Sequence, residues 1–183
     1  MAGRRRIPSL LLLAALVLAA ALAAGGCGAS DSSKSVFEGE PVELGDLSYN
    51  VLFSRYLNPN DEEDKGYLVG QPQLGKDDLY LGLFLQIENT SKDASAKLPQ
   101  KLSIRDTEGN VYDSVPSKSP FALDLGGSIP PEDQAPPLDS APQTGPIAGS
   151  LVLFKLPTTA VESRPLSLTI PGQDGPAEVE LDL

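Results

Sequence analysis

Few side chains in this sequence could take part in catalysis. The chain contains no histidine and a single cysteine, Cys27. This composition excludes histidine-based acid–base chemistry, disulfides and the ordinary zinc or copper sites. The sequence has neither a Gly-x-Ser-x-Gly nor a Ser-x-x-Lys motif, which would mark an activated serine. Carboxylates are plentiful, but no pattern places any two of them together. We therefore predict a protein that is not an enzyme, with no catalytic residue and no cofactor.

The densest group of potential metal ligands is the acidic run at residues 61–64. An EF-hand calcium loop starting at its first residue would need oxygen ligands at alternate positions and a glutamate at the twelfth. The fifth position is Lys65 and the twelfth is Pro72, so the spacing does not match. A looser site that includes Asp77 and Asp78 remains an alternative. We interpret the run as a solvated loop and assign no metal ligand.

The segment around this acidic run is also the best candidate for contact with a ligand or a partner. Tyrosines are enriched among the residues that carry binding energy at interfaces, and one lies on each side of the run. The predicted contact residues are Tyr56, Asp61, Glu62, Glu63, Asp64 and Tyr67.

Residues 1–26 have the layout of a secretory signal peptide. Three arginines at 4–6 precede an uncharged apolar run at 10–24. The run is 15 residues long, whereas a helix needs about 20 to cross the hydrocarbon core of a bilayer. Small residues then lead directly to Cys27, and the next basic residue is Lys34, so no stop-transfer flank follows. The arginines are also compatible with twin-arginine export, which leaves the export route open.

Ala24-Gly25-Gly26-Cys27 resembles the lipobox of bacterial lipoproteins. In that family the cysteine thiol receives a diacylglyceryl group, and the signal is cut just before the cysteine. The family prefers leucine three residues before the cysteine, where this chain has Ala24. The resemblance implies that Cys27 carries fatty acyl chains such as palmitate and attaches the protein to the extracytoplasmic side of the cell membrane. The alternative is a plain signal peptide followed by an incidental cysteine.

Composition limits the rest of the chain to one acidic domain. Removal of the signal leaves 157 residues, enough for a single sizeable core. Three of the 14 basic residues lie in the signal, so the remainder carries 11 basic against 25 acidic residues, a formal charge of −14. Such a surface repels nucleic acid and anionic headgroups. We expect no nucleic-acid partner, and we expect the membrane to be reached through the acyl chains on Cys27.

A small, polar segment predicts a flexible tether over 27–38. After this segment, apolar and polar residues alternate with the period of two that is typical of β-strands. The clearest alternation runs over 79–89, with large aliphatic side chains on one face and Tyr80 and Phe84 on the other. Short strands with turns between them, and no helical period after the signal, predict an all-β sandwich over 39–183.

Two long insertions interrupt the strand pattern, at 58–78 and at 116–146. The first is polar and contains the acidic run. The second contains eight of the 17 prolines, a density that excludes regular helix or central strand.

Four stretches resemble an immunoglobulin-like domain of unknown function found in bacterial lipoproteins. A secreted mycobacterial immunoprotective antigen has the same fold. The resemblance implies an immunoglobulin-like β-sandwich with the two insertions as additions, and its motifs are structural and imply no activity. The stretches are an opening turn at 42–47, a hydrophobic strand ending in Asn-Thr at 83–90, a Leu-x-x-x-Asp-x-x-Gly-x-x-Tyr segment at 102–112 and a strand closed by proline at 149–157.

These observations predict a lipid-anchored, non-enzymatic, extracytoplasmic binding or interaction module of the bacterial cell envelope. Its partners would be the membrane, through the lipid on Cys27, and an unknown envelope protein or ligand. The alternative function is weak binding of a divalent cation or a small ligand. We expect contacts on the two insertions, because loops on a rigid sandwich are free to make them. The competing interpretation is that both insertions are disordered spacers.

Overall fold

Alternating apolar and polar residues build the strands of residues 33–183, the part of the chain that the structure, a computed structural model, describes. The strands are β1 (Lys34–Phe37), β2 (Val42–Leu44), β3 (Leu47–Leu57), β4 (Asp78–Asn89), β5 (Ala96–Lys97), β6 (Ser103–Arg105), β7 (Val111–Val115), β8 (Ser128–Ile129), β9 (Gln134–Ala135), β10 (Ser150–Pro157), β11 (Ser167–Ile170) and β12 (Ala177–Glu180). The helical turns are α1 (Glu62–Lys65), α2 (Ala141–Thr144) and a 3₁₀ turn (Thr158–Val161). The predicted all-β class is confirmed.

The N-terminal predictions fall outside this region. The signal peptide at 1–26 and the lipidation site Cys27 lie outside the described residues. Within 33–183, no helix is long and apolar enough to cross a membrane.

Two β-layers share one strand. The strand order is β1-β12-β11-β6-β7 in one layer and β7-β10-β4-β3-β2 in the other. Val111 and Tyr112 of β7 pair with β6, whereas Ser114 and Val115 pair with β10, so β7 passes from one layer to the other. Neighbouring strands in this order are antiparallel, except that β1 and β12 are parallel. A strand that switches layers closes one side of a sandwich.

The space between the two layers holds the main core. The aliphatic face of β4 points into it, and Leu81, Leu83, Leu85 and Ile87 are fully buried. Burial also raises the pKa of Tyr49, on β3, to about 12. Other members of this core, from both layers, are Val42, Val51, Ile104, Phe154, Leu168, Ile170 and Val179. The alternation predicted over 79–89 therefore gives the correct inward face.

The opposite face of β4 carries a second core. Tyr80 and Phe84 point away from the main core and are also fully buried. Gly82 lies between them and permits close packing: a Cβ atom there would lie 3.0 Å from Leu57 Cδ1 and 3.1 Å from Leu151 Cδ1. The side chains that complete this cluster include Tyr67, Leu68, Leu74, Phe121, Ile147 and Leu153. Because several of these come from the two insertions, the insertions form a third layer on the sandwich.

The prediction of a flexible tether over 27–38 is wrong for residues 34–37, because these residues form β1. This strand pairs in parallel with β12 along its whole length. The carboxylate of Glu38 then accepts hydrogen bonds from the backbone N–H groups of Ser54 (2.9 Å) and Asp182 (3.1 Å). These bonds join the two layers at one corner. The sandwich therefore begins at Lys34 and not at residue 39, and the polar composition hides this because an edge strand exposes most of its side chains.

The proline-rich insertion at 116–146 pairs with strands of the second layer, and its Leu123 and Ile129 belong to the main core. Its start pairs with β10, through backbone hydrogen bonds between Leu123 N and Leu151 O (2.8 Å) and between Leu151 N and Phe121 O (2.7 Å). Further along, β9 pairs with the end of β4, and β8 pairs with β5. These strands are only two residues long, as expected where prolines remove backbone donors.

Candidate functional site

A partly buried ion pair helps to fix the insertion at 58–78. Arg55 lies on the outer face of β3, and its guanidinium pairs with the carboxylate of Asp64. The side chain of Asp64 is 2% exposed, and its second oxygen accepts a hydrogen bond from Asn58 N at 2.7 Å. A buried carboxylate is stable only when its hydrogen-bonding capacity is met. Asp64 is therefore a structural residue, and its assignment as a contact residue is wrong.

The other three acidic residues of the run have separate environments. Asp61 is the N-cap of α1, where its carboxylate accepts a hydrogen bond from Glu63 N at 3.0 Å. Glu62 forms an exposed ion pair with Lys65, and the side chain of Glu63 is exposed. Asp61, Glu62 and Glu63 are therefore exposed, and their role as contact residues stays a prediction.

The looser cation site also lacks a common centre. Asp78 pairs with Lys155 at 2.8 Å, which engages the carboxylate that such a site would use. Within residues 33–183, no group of three or more acidic or cysteine side chains is arranged to hold a metal ion.

The two flanking tyrosines lie on opposite faces of the same layer. Tyr67 is 3% exposed; its ring packs edge-on against Phe84 (centroids 5.1 Å apart) and in a tilted arrangement against Phe121 (5.0 Å). Burial raises its pKa. Its assignment as a contact residue is therefore wrong. Tyr56 faces the main core and is half-buried; burial raises its pKa, and the positive charge of Arg164 partly opposes that shift.

The two insertions are bound to each other as well as to the sandwich. Ser119 Oγ donates a hydrogen bond to Gly66 O at 2.8 Å, and Gln71 Nε2 donates one to Pro116 O at 2.7 Å. With the Tyr67–Phe121 ring contact, these bonds join the two insertions to each other. The interpretation of both insertions as disordered spacers does not hold.

The first insertion encloses an open cleft of about 720 Å³ against the ends of β3 and β4. Ligand sites usually measure about 300–1,000 Å³. Tyr80 stiffens one wall by donating a hydrogen bond from its hydroxyl to Pro72 O at 2.9 Å. The apolar part of the lining is Leu57, Leu68, Leu74 and Leu79.

Three exposed polar side chains lie in this cleft without a partner among residues 33–183. They are Asn60, Gln73 and Lys76. Lys65, the other cation of the lining, is already paired with Glu62. Sequence reasoning included none of the three among the contact residues. Gln73 and Lys76 lie in a stretch that shows neither periodicity nor a charge cluster. Only the fold of the insertion brings them beside Asn60.

The Leu-x-x-x-Asp-x-x-Gly-x-x-Tyr segment has a structural explanation. The carboxylate of Asp106 accepts hydrogen bonds from Glu108 N, Asn110 N, Asn110 Nδ2 and the Tyr112 hydroxyl, all at 2.9–3.0 Å. Gly109 supplies the positive φ (+87°) that the turn requires. Burial acts to raise the pKa of Asp106, but these hydrogen bonds outweigh it and hold the pKa below its ordinary value. The hydrogen bonds of Asp106 therefore make this segment a rigid hairpin and give its residues a structural role.

This architecture defines a β-sandwich protein. No protein-family model matches the chain, and no curated protein matches it. Among solved structures, the chain is similar to an uncharacterized β-sandwich protein from Clostridium difficile 630, with a TM-score of 0.52, 16% identity, and coverage of 84% of this chain and 97% of the other.

Two further solved structures have the same fold. The yjhA protein from Bacillus subtilis gives a TM-score of 0.50 at 15% identity, covering 80% of this chain and 99% of the other. The secreted protein MPT63 from Mycobacterium tuberculosis gives 0.52 at 13% identity, covering 82% and 99%. At such identities the similarity shows the fold alone. The predicted likeness to a secreted mycobacterial antigen is therefore confirmed for the β-sandwich fold.

Proposed function

We propose that this protein is a lipid-anchored, non-enzymatic binding module on the extracytoplasmic side of the cell envelope, and that the cleft of the first insertion is its contact site. The single observation that carries the proposal is the construction of that cleft. An exposed polar loop of this length would ordinarily be variable or disordered. Here a partly buried ion pair and a second core hold it in one conformation, so its surface is organised before any ligand binds.

Pre-organisation favours a binding role on energetic grounds. Ordering a flexible loop on binding costs about 0.5–1.5 kcal/mol for each immobilised side chain. A cleft whose walls are already fixed avoids most of that cost. Asn60, Gln73 and Lys76 then offer unpaired donors in a cleft that is also lined by apolar side chains, a mixture of polar and apolar surface found in ligand sites.

The N-terminal sequence supports the extracytoplasmic location. The sequence before Cys27 matches a signal peptide, and the lone cysteine follows small residues as in a lipobox. The secreted character of MPT63, to which the chain is similar in fold, agrees with export. The alternative function of cation binding has no comparable support, because the acidic side chains of residues 33–183 are not grouped as ligands.

The anchor and the cleft are tested separately. Metabolic labelling with a fatty acid should be lost in Cys27→Ser, and the variant should leave the membrane fraction; unchanged labelling would overturn the anchor. For the cleft, a photo-crosslinking residue is placed at Gln73 in the full-length protein in its own membranes. A matched probe goes at Glu108, which is exposed on the hairpin turn after β6.

The expected result is a set of discrete adducts at position 73 that are absent at position 108 and lost when Asp64→Ala loosens the insertion. Equal adducts at both positions would show only random collision. No adducts at position 73 would contradict the assignment of the cleft.

A further inference from the structure

The start of β10 carries a polar side chain on the face that points into the main core. Ser150 pairs with Leu85, and residues directly opposite each other in an antiparallel pair project to the same side of the sheet. The next residues on this face of β10, Val152 and Phe154, belong to the main core. Ser150 is only 3% exposed, and its hydroxyl has no hydrogen-bond partner among residues 33–183. Polar groups buried to this degree are ordinarily hydrogen-bonded, so an unpaired one needs a physical explanation.

The explanation we draw is a cavity of about 350 Å³, which Ser150 lines between β10 and the proline-rich insertion. This volume is at the small end of the range of ligand sites, about 300–1,000 Å³. The cavity shares no lining residue with the cleft of the first insertion. The buried and half-buried apolar side chains of its lining are Leu98, Ala122, Leu123, Ile129, Ala135 and Pro142.

Hydrogen bonds hold the walls of this cavity in place. Leu123 N donates to Leu151 O at 2.8 Å, which ties one wall to β10. Asn89, at the end of β4, donates from Nδ2 to Ile129 O and to Pro130 O, both at 2.9 Å. A third wall contains β9, which pairs with β4. The cavity therefore has its shape before any ligand binds, and this lowers the ordering cost of binding.

The charges around the cavity disfavour an anion. Among residues 33–183, no lysine or arginine lines it, and its two charged side chains, Asp124 and Asp133, are exposed at its opening. Two carboxylates at the opening repel a negatively charged ligand. A cation is also disfavoured at the buried end, where Ser150 offers a hydroxyl and no charge, because burying an unpaired charge costs far more than burying a neutral polar group.

We propose that this cavity is a second binding site, and that it takes a small uncharged molecule with an apolar body and one hydrogen-bonding group, such as an alcohol. The apolar body packs against the aliphatic lining, and the polar group pairs with the hydroxyl of Ser150. This inference goes beyond the proposed function. It depends neither on the cleft of the first insertion nor on lipidation of Cys27.

A set of probes with one common apolar body tests the proposal. The probes are 2-naphthylmethanol, 2-methylnaphthalene, which lacks the hydroxyl, and 2-naphthoate, which carries a negative charge. Each is titrated into the full-length protein in phosphatidylcholine nanodiscs, with isotopic labels on the alanine, isoleucine and leucine methyl groups. An aromatic ring shifts the NMR signals of the methyl groups beside it, so 2-naphthylmethanol should shift those of Ala122, Ile129 and Ala135. The signals of Leu74, in the cleft, should stay unchanged, and 2-naphthoate should produce no shifts.

The hydroxyl of Ser150 is tested by Ser150→Ala. This substitution should weaken the binding of 2-naphthylmethanol about two- to tenfold, the effect of one hydrogen bond, and should leave 2-methylnaphthalene unaffected. Partition of a probe into the lipid is the same for every variant, so the comparison with the wild type isolates the hydroxyl. The melting temperature should not fall, because this hydroxyl makes no bond within residues 33–183. The matched control is Ser128→Ala, an exposed serine of the same lining, which should keep the affinity of the wild type.

The other outcomes each overturn part of the inference. Shifts confined to Leu74, or no shifts with any probe, would mean that the cavity does not bind this class of molecule. An unchanged affinity of Ser150→Ala for 2-naphthylmethanol would refute the hydrogen bond, and binding of 2-naphthoate as tight as that of the alcohol would refute the argument from charge. The photo-crosslinking result at position 73 decides the proposed function separately.

Discussion

Asp64→Ala should loosen the first insertion, because the carboxylate of Asp64 is one of the contacts that hold this insertion to the sandwich. The substitution removes the hydrogen bond to Asn58 N (2.7 Å) and the ion pair with Arg55. A hydrogen bond to a charged group contributes about 1.5–3 kcal/mol. The guanidinium side chain is 32% exposed, so the ion pair itself is screened and adds less than about 1 kcal/mol. We expect a total loss of about 1.5–4 kcal/mol in the free energy of unfolding.

Urea denaturation followed by circular dichroism measures this loss, with Glu62→Ala as the matched control. Glu62 lies in the same helical turn but makes only an exposed ion pair with Lys65, so its removal should cost less than about 0.5 kcal/mol. A double-mutant cycle with Arg55→Ala isolates the ion pair. Equal midpoints for Asp64→Ala and Glu62→Ala would refute the reasoning, since the acidic run would then be a uniform surface loop.

Two further predictions concern the sandwich and its hairpin. Leu83→Ala, in the fully buried face of β4, should lower the free energy of unfolding by about 2–5 kcal/mol, and an unchanged urea midpoint would contradict the register of that strand. The pKa of Asp106 is lower in the folded protein than in the unfolded chain. Its ionised carboxylate therefore stabilises the fold fully at pH values above the unfolded pKa of roughly 3.9. This stabilisation is lost as the pH falls through the lower pKa of the folded protein. The difference in melting temperature between the wild type and Asp106→Asn should therefore narrow on acidification from about pH 6 to about pH 2, and a constant difference would argue against the hydrogen-bonded carboxylate.

Features with a local signal were predictable from the sequence. The alternation over 79–89 gives β4 and its inward face, because a strand buried between two layers must place large apolar residues at every second position. The segment from Leu102 to Tyr112 is likewise self-contained: Asp106 satisfies donors only two to six residues away. The sequence contains no histidine, so acid–base chemistry by histidine is excluded without reference to the structure.

Other features depend on residues distant in the chain, and only the tertiary structure decided them. β1 is polar and resembles a tether, but its backbone pairs with β12, more than 140 residues later. Tyr67 and Asp64 resemble surface residues of a polar loop. Tyr67 is buried because the outer face of β4 carries Tyr80 and Phe84, and leaving two such rings in water would be costly. Asp64 is buried where it pairs with Arg55 and accepts a hydrogen bond from Asn58 N.

The candidate site likewise has one part that the sequence predicts and another that only the tertiary structure shows. Composition and spacing identified the acidic segment, and three of its residues do lie on the surface. The cleft itself depends on how the insertion folds back, which brings Asn60, Gln73 and Lys76 together. That path is determined by the ion pair with Arg55 and by packing against the proline-rich insertion. Because both contacts join separate segments of the chain, no local pattern in the sequence could predict the cleft.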